Sequence, residues 1–134
     1  MIFPDIFRLH PPPTSFAPEA AVRCIAECLD CIASCTACAD DCLAEPDLRD
    51  LVRCVRLDLD CADLCAATAR IVSRQTDPDL GLVRSAVEAC AVACVACAEE
   101  CERHAAKHEH CRLCAEMCRR CKKVCDDFLA TFVL

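Results

Sequence analysis

From residue 18 onward, apolar positions recur at alternating steps of three and four, the spacing of one face of an α-helix. Cysteine occupies most of that face. One segment carries Cys24, Cys28, Cys31, Cys35, Cys38 and Cys42, and the next carries Cys54, Cys61 and Cys65. A third carries Cys90, Cys94, Cys97 and Cys101, and the last carries Cys111, Cys114, Cys118, Cys121 and Cys125. Pro18 and Glu19 suit a first helical turn, predicting a helix over 18–44. Pro46 and Asp47 open a second, to about Gln75. Asp77 reads as an N-cap with Pro78 at the first helical position, opening a third helix to about Ala105. A break without Gly or Pro falls in 106–109, and a fourth helix covers His110 to about Thr131. Four long helices with short connections predict an all-α, antiparallel up-down-up-down four-helix bundle over 18–134. Residues 1–17 read as a Pro-rich N-terminal arm. Pro11, Pro12 and Pro13 argue against helix there, while Ile2, Phe3, Ile6 and Phe7 are expected to dock on the bundle.

Composition sharpens the picture. Eighteen of 134 residues are cysteine, 22 are alanine, and Gly81 is the sole glycine, so a Gly-rich phosphate loop or a sandwich of tight turns is excluded. A net charge of −7 argues against a nucleic-acid partner, and no uninterrupted apolar run suggests a membrane span. The N-terminus has no basic start followed by an apolar core, because Pro4 and Asp5 interrupt it, and it has no twin-arginine pair. The expectation is a cytoplasmic protein whose thiols are reduced.

The cysteines stand where an ordinary bundle places leucine. Layers of so small a side chain leave the axis underfilled, at a cost that grows with cavity volume, so something else is expected to occupy it. Thiols at i+3 or i+4 on one helix point side by side, which suits disulfides poorly. Five C-x-x-C units inside helices do not resemble a single redox motif after a strand. Soft thiolates select monovalent copper. If each ion takes two sulfurs and each sulfur bridges two ions, the ideal load is about 18 Cu(I) per chain, each cation replacing one thiol proton. A divalent ion at the same loading leaves a large buried positive charge. No Ser/His/Asp or paired-carboxylate constellation is visible, so the chain is not expected to be an enzyme. Two alternatives stay open: a general thiolate buffer for zinc or cadmium, and a redox-responsive helical interaction protein.

The ladder from Cys24 to Cys42, the run from Cys90 to Cys101 and the run from Cys111 to Cys125 resemble the bacterial four-helix-bundle copper storage proteins, in the branch without an export signal. The resemblance covers about residues 17–132. It implies many Cu(I) ions on the eighteen cysteine thiolates, a cytosolic storage role and a homotetramer.

The two ends of the bundle differ in chemistry. His104, His108 and His110 cluster where the third helix ends and the fourth begins, and they read either as caps on a helix dipole or as a mouth that accepts copper and passes it to Cys101 and Cys111. Phe128, Phe132, Val83, Val87 and Val72 read as an apolar plug at the other end. Asp58 falls in the cysteine register of the second helix, three before Cys61. It is an oxygen ligand in the column or, if the helix is rotated, a boundary residue with Leu57 inward. Met117 is either a thioether ligand or packing.

Overall fold

The helices begin and end where the backbone's unpaired groups find partners. In the computed structural model, which describes residues 1–132, the elements are α1 (Phe3–Arg8), α2 (Pro18–Leu43), α3 (Leu48–Val72), α4 (Leu80–His104) and α5 (Glu109–Ala130). No strand occurs among the described residues. Pro18 takes the first turn of α2, where its missing N–H is no loss. The cap of α4 is Asp79 rather than Asp77: its carboxylate accepts from the Leu82 N–H at 3.0 Å. Asp77 instead sits at φ 50°, a left-handed turn position that Asp tolerates. α3 stops at Val72, short of Gln75, because Gln75 is drawn off to serve the arm. Its Nε2 donates to the Phe7 carbonyl at 2.9 Å, and its Oε1 accepts from Thr14 Oγ1 at 2.6 Å.

α2 packs on α3 and α5, and α4 packs on α3 and α5, while the diagonal pairs meet across the axis through side chains, Cys28 with Cys90 at 3.9 Å and Cys65 with Cys121 at 3.9 Å. This is the square, antiparallel up-down-up-down bundle expected from the short connections. Charges decorate its outside. Arg119 bridges to Glu102 at 2.7 Å and Arg120 to Glu27 at 3.0 Å, tying α5 to α4 and α2. Such solvent-exposed pairs add little to stability. α4 alone among the described helices is long and apolar enough to cross a membrane, although Arg84 and Glu88 interrupt its apolar run. Its apolar character comes largely from cysteine and alanine, and the cysteines are packed inside the bundle.

The arm departs from expectation. It does contain helix, the six-residue α1, which ends before Pro11. Phe7 is buried and Phe3 packs partly on the core, but Ile2 and Ile6 point away and stay exposed. Phe3 and Phe7 share one face and Ile2 and Ile6 another, about 100° round the helix, so only one pair docks. Phe16 is the arm's second anchor. Its ring centroid lies 5.4 Å from that of Phe128, edge to face, and 6.4 Å from that of Phe132. These rings, with Val72, Val83 and Val87, close one end of the bundle. The residues 133 and 134 of the expected bundle span lie outside the described residues.

The apolar plug, the caps and the alanine-rich packing require no metal, so the reduced, metal-free protein gives a strongly helical far-ultraviolet circular dichroism spectrum. Phe128→Ala destabilises it by about 3–5 kcal/mol through the cavity left at a fully buried site, measured by urea or thermal unfolding.

Candidate metal centre

All eighteen cysteines are buried and none is in a disulfide. The three-and-four spacing turns every thiol to the axis, where they interleave across helices. Cys35 Sγ lies 3.6 Å from Cys118 Sγ, Cys54 Sγ 3.6 Å from Cys101 Sγ, and Cys65 Sγ 3.7 Å from Cys90 Sγ. At the far end Cys24 and Cys125 face each other at 4.0 Å. Sets of four thiols gather with all sulfurs within 4.8 Å of one another. One is Cys28, Cys90, Cys121 and Cys125, and another is Cys31, Cys65, Cys94 and Cys121. Further sets are Cys31, Cys35, Cys61 and Cys118; Cys35, Cys97, Cys114 and Cys118; and Cys38, Cys42, Cys54 and Cys111. The sets overlap: Cys31, Cys35, Cys118 and Cys121 each belong to two. A closed structural zinc site keeps its four ligands to itself, whereas shared sulfurs suit bridging thiolates. Burial raises the Cys42 thiol and pushes Cys111 up to about 12, whereas hydrogen bonds from Cys125 and Cys28 lower Cys24 to about 5.

Asp58, not Leu57, faces the column, and it is fully buried. The Cys97 thiol donates to Oδ1 at 3.0 Å, Cys114 at 3.3 Å and Cys101 at 3.5 Å, while Cys54 lies 4.0 Å from Oδ2. One carboxylate thus collects thiols from three helices. Its own pKa is pushed up to about 8, first by burial and then by the neighbouring Cys114.

The three histidines separate into different roles. His110 Nε2–H donates to Glu45 at 2.9 Å, which turns Nδ1 toward Cys38 at 3.4 Å and Cys111 at 3.6 Å. A carboxylate behind an imidazole fixes the tautomer and orients the ring, as it does behind metal-bound histidines. His108 is gripped on both sides, by Glu45 at 2.7 Å from Nδ1 and by Asp47 at 2.9 Å from Nε2. Asp47 therefore bonds His108 instead of capping α3, and that hydrogen bond raises the pKa of His108. His104 pairs with the buried Glu100 at 2.8 Å. Among the described contacts only His110 meets thiols. Glu45, Asp47 and Glu100 were not foreseen from the sequence; their signal was three acids within a few residues of a helix end or in the facing loop. Met117 is buried among the core residues.

The family model for copper storage proteins matches residues 17–130. The chain belongs to the copper storage protein family. It stores copper. The copper storage protein of Streptomyces lividans loaded with 10 copper equivalents is 50% identical, with a TM-score of 0.94 over 97% of this chain and 99% of that one. A cytosolic copper storage protein from the same organism, holding five coppers, is 54% identical with a TM-score of 0.85 over 86% and 96% of the two chains. A Bacillus copper storage protein bound to Cu(I) is 35% identical, with a TM-score of 0.72 over 81% and 97%. A search of curated proteins finds no match.

The raised pKa of Asp58 fixes a sign. In the unfolded chain the carboxyl ionises near 3.8, while in the folded chain it stays protonated to about 8. The folded state therefore binds the extra proton, and stability falls as pH rises through that window, on the order of a few kcal/mol. Asp58→Asn removes this loss. In metal-free protein, the stability difference between variant and wild type grows from pH 4 to pH 8 and is constant above it, read from urea unfolding across pH.

Proposed function

We propose that the chain is a cytosolic copper sink in which Cu(I) is held by the thiolates of all eighteen cysteines, with Asp58 an oxygen ligand inside the column and the histidine end its mouth. The overlap of the four-thiol sets carries this reading: a sulfur that belongs to two sets can bridge two ions, so the column takes ions in numbers near its thiol count. Each arriving monovalent cation displaces one thiol proton, and the filled core stays near neutral. His110 is the group best placed to hand an ion inward, because it alone touches both the acidic rim and the thiols. His108 and His104, each bonded to carboxylates, steady that rim. We read the protein as a store rather than an enzyme, a reading that its membership of the copper storage family supports.

Residues 18–134 act as a single domain with 1–17 as its arm. The domain works as a homo-oligomer, a tetramer by family resemblance. The exposed apolar side of α4 supports association: Val92 is 69% exposed and forms a shallow groove with Ala91, Val95 and Ala96.

The decisive experiment is an anaerobic titration of the reduced protein with Cu(I) against a chromophoric chelator. Sulfur-to-copper charge-transfer absorption grows linearly, to within a few ions of the eighteen thiols, on a low ultraviolet background since Trp and Tyr are absent. Saturation at one or two ions sinks the storage reading. If zinc or cadmium displaces Cu(I) in competition, the chain is a general thiolate buffer. Followed by stopped flow, the same titration on a variant with His104, His108 and His110 all changed to Phe shows uptake slowed severalfold, with capacity reduced by no more than a few ions. Replacing His110 alone accounts for most of the delay.

A further inference from the structure

The bundle's own helices close the end of the column away from the histidines only in part, with Val72, Val83, Val87 and Phe128 from α3, α4 and α5. At that level α2 offers no aromatic side chain, only the smaller Ala21 and Val22 in the turn before Cys24, and the helix starts at Pro18. The space opposite is filled by Phe16, which belongs to the arm, is 4% exposed and lies against Phe128. Immediately inward sit Cys24 and Cys125, one turn from Phe128 along α5.

We infer that the N-terminal arm is a releasable seal over a second port to the thiol column, with Phe16 as the stopper. The arm is weakly fastened. Only Phe7 and Phe16 are buried in it, while Met1, Ile2, Ile6 and Leu9 are largely exposed. Its polar clasps are few: Arg8 to Glu19 at 3.0 Å, Thr14 and the Phe7 carbonyl to Gln75, and His10 Nε2 to Thr76 Oγ1 at 3.1 Å. The first of these is exposed and worth little. The Nδ1 atom of His10 is buried with no partner, which weighs against the docked state. Beneath the prolines the arm spans a cleft of about 580 Å³ instead of packing into it. Few apolar contacts and solvent-exposed hydrogen bonds mark a segment that opens locally without unfolding the bundle. When it does, the opening lies over Cys24 and Cys125, not over the histidine mouth, so copper has a way out that does not retrace its way in.

The copper part of this inference rests on the storage reading, but the port itself is tested without metal. The reduced, metal-free full chain is exposed to iodoacetamide, and alkylation is followed cysteine by cysteine by peptide mass spectrometry. In Phe16→Ala, Cys24 and Cys125 react about tenfold faster, while Cys38, Cys42 and Cys111 keep the wild-type rate. Phe16→Trp restores slow reaction, and its indole, the chain's only one, emits at short wavelength while the arm is docked. Arg8→Ala cuts a clasp without touching the core and gives a smaller rise at the same two thiols. On Cu(I)-loaded protein, Phe16→Ala speeds withdrawal by a chelator by a similar factor. An equal rise at all eighteen thiols means a general loss of stability, and no rise at Cys24 and Cys125 means the arm does not seal the column. Either result overturns the inference. Site-selective alkylation with no copper uptake leaves the port standing and overturns the storage reading instead.

Discussion

Everything in this molecule follows from filling a bundle axis with a side chain too small for the job. A thiol has far less bulk than the leucine that normally occupies such a position, so four helices lined with cysteine enclose a strip of polarizable sulfur in place of hydrocarbon. The bundle still holds together because the larger apolar groups lie beyond or beside the sulfur. Ile25, Leu51, Val72, Val87 and Phe128 are all essentially buried, and alanines let the helices approach between them. Stability is thus carried by the margins, and the centre is left free for ligand chemistry.

That division makes the two ends unequal. At the α4–α5 turn the last thiols meet an acidic rim, with Glu45 shared between His108 and His110 and Asp47 turned away from its capping position toward His108. The local geometry of a helix start has been given up for the arrangement of imidazoles. At the opposite end aromatic rings stack over the final thiols, and Arg84 lies 5.6 Å from the centroid of Phe132, a cation against a ring face. One end is lined by imidazoles and carboxylates; the other is capped by aromatic and aliphatic side chains.

The helices and the inward set of cysteines were legible because a three-and-four spacing of one residue type admits hardly any other arrangement. The boundaries were less so. Asp77 and Asp79 flank Pro78 with equal claim to the cap of α4, and only the left-handed backbone at Asp77 decides between them. Asp58 was in register, but a rotation of α3 by a few tens of degrees would have turned it to the surface, and a one-dimensional pattern does not fix such an angle. The roles of Glu45 and Asp47 behind His110 and His108, and that of Phe16, were hidden for a common reason. Each depends on a contact between segments more than fifty residues apart in sequence, set by how the helix ends meet.

The sharing of thiols between neighbouring sets has a consequence for traffic inside the protein. If these thiols hold the ions as proposed, adjacent positions are not separate compartments, because Cys31, Cys35, Cys118 and Cys121 each belong to at least two sets. An ion can move along the axis by releasing one sulfur and taking the next, without being bare at any moment and without the helices parting. The interior then behaves less like a rack of numbered slots than like a conducting wire. An ion taken up at one end need not be the ion given up at the other, and the store answers to the total load it carries instead of to the order in which it was filled.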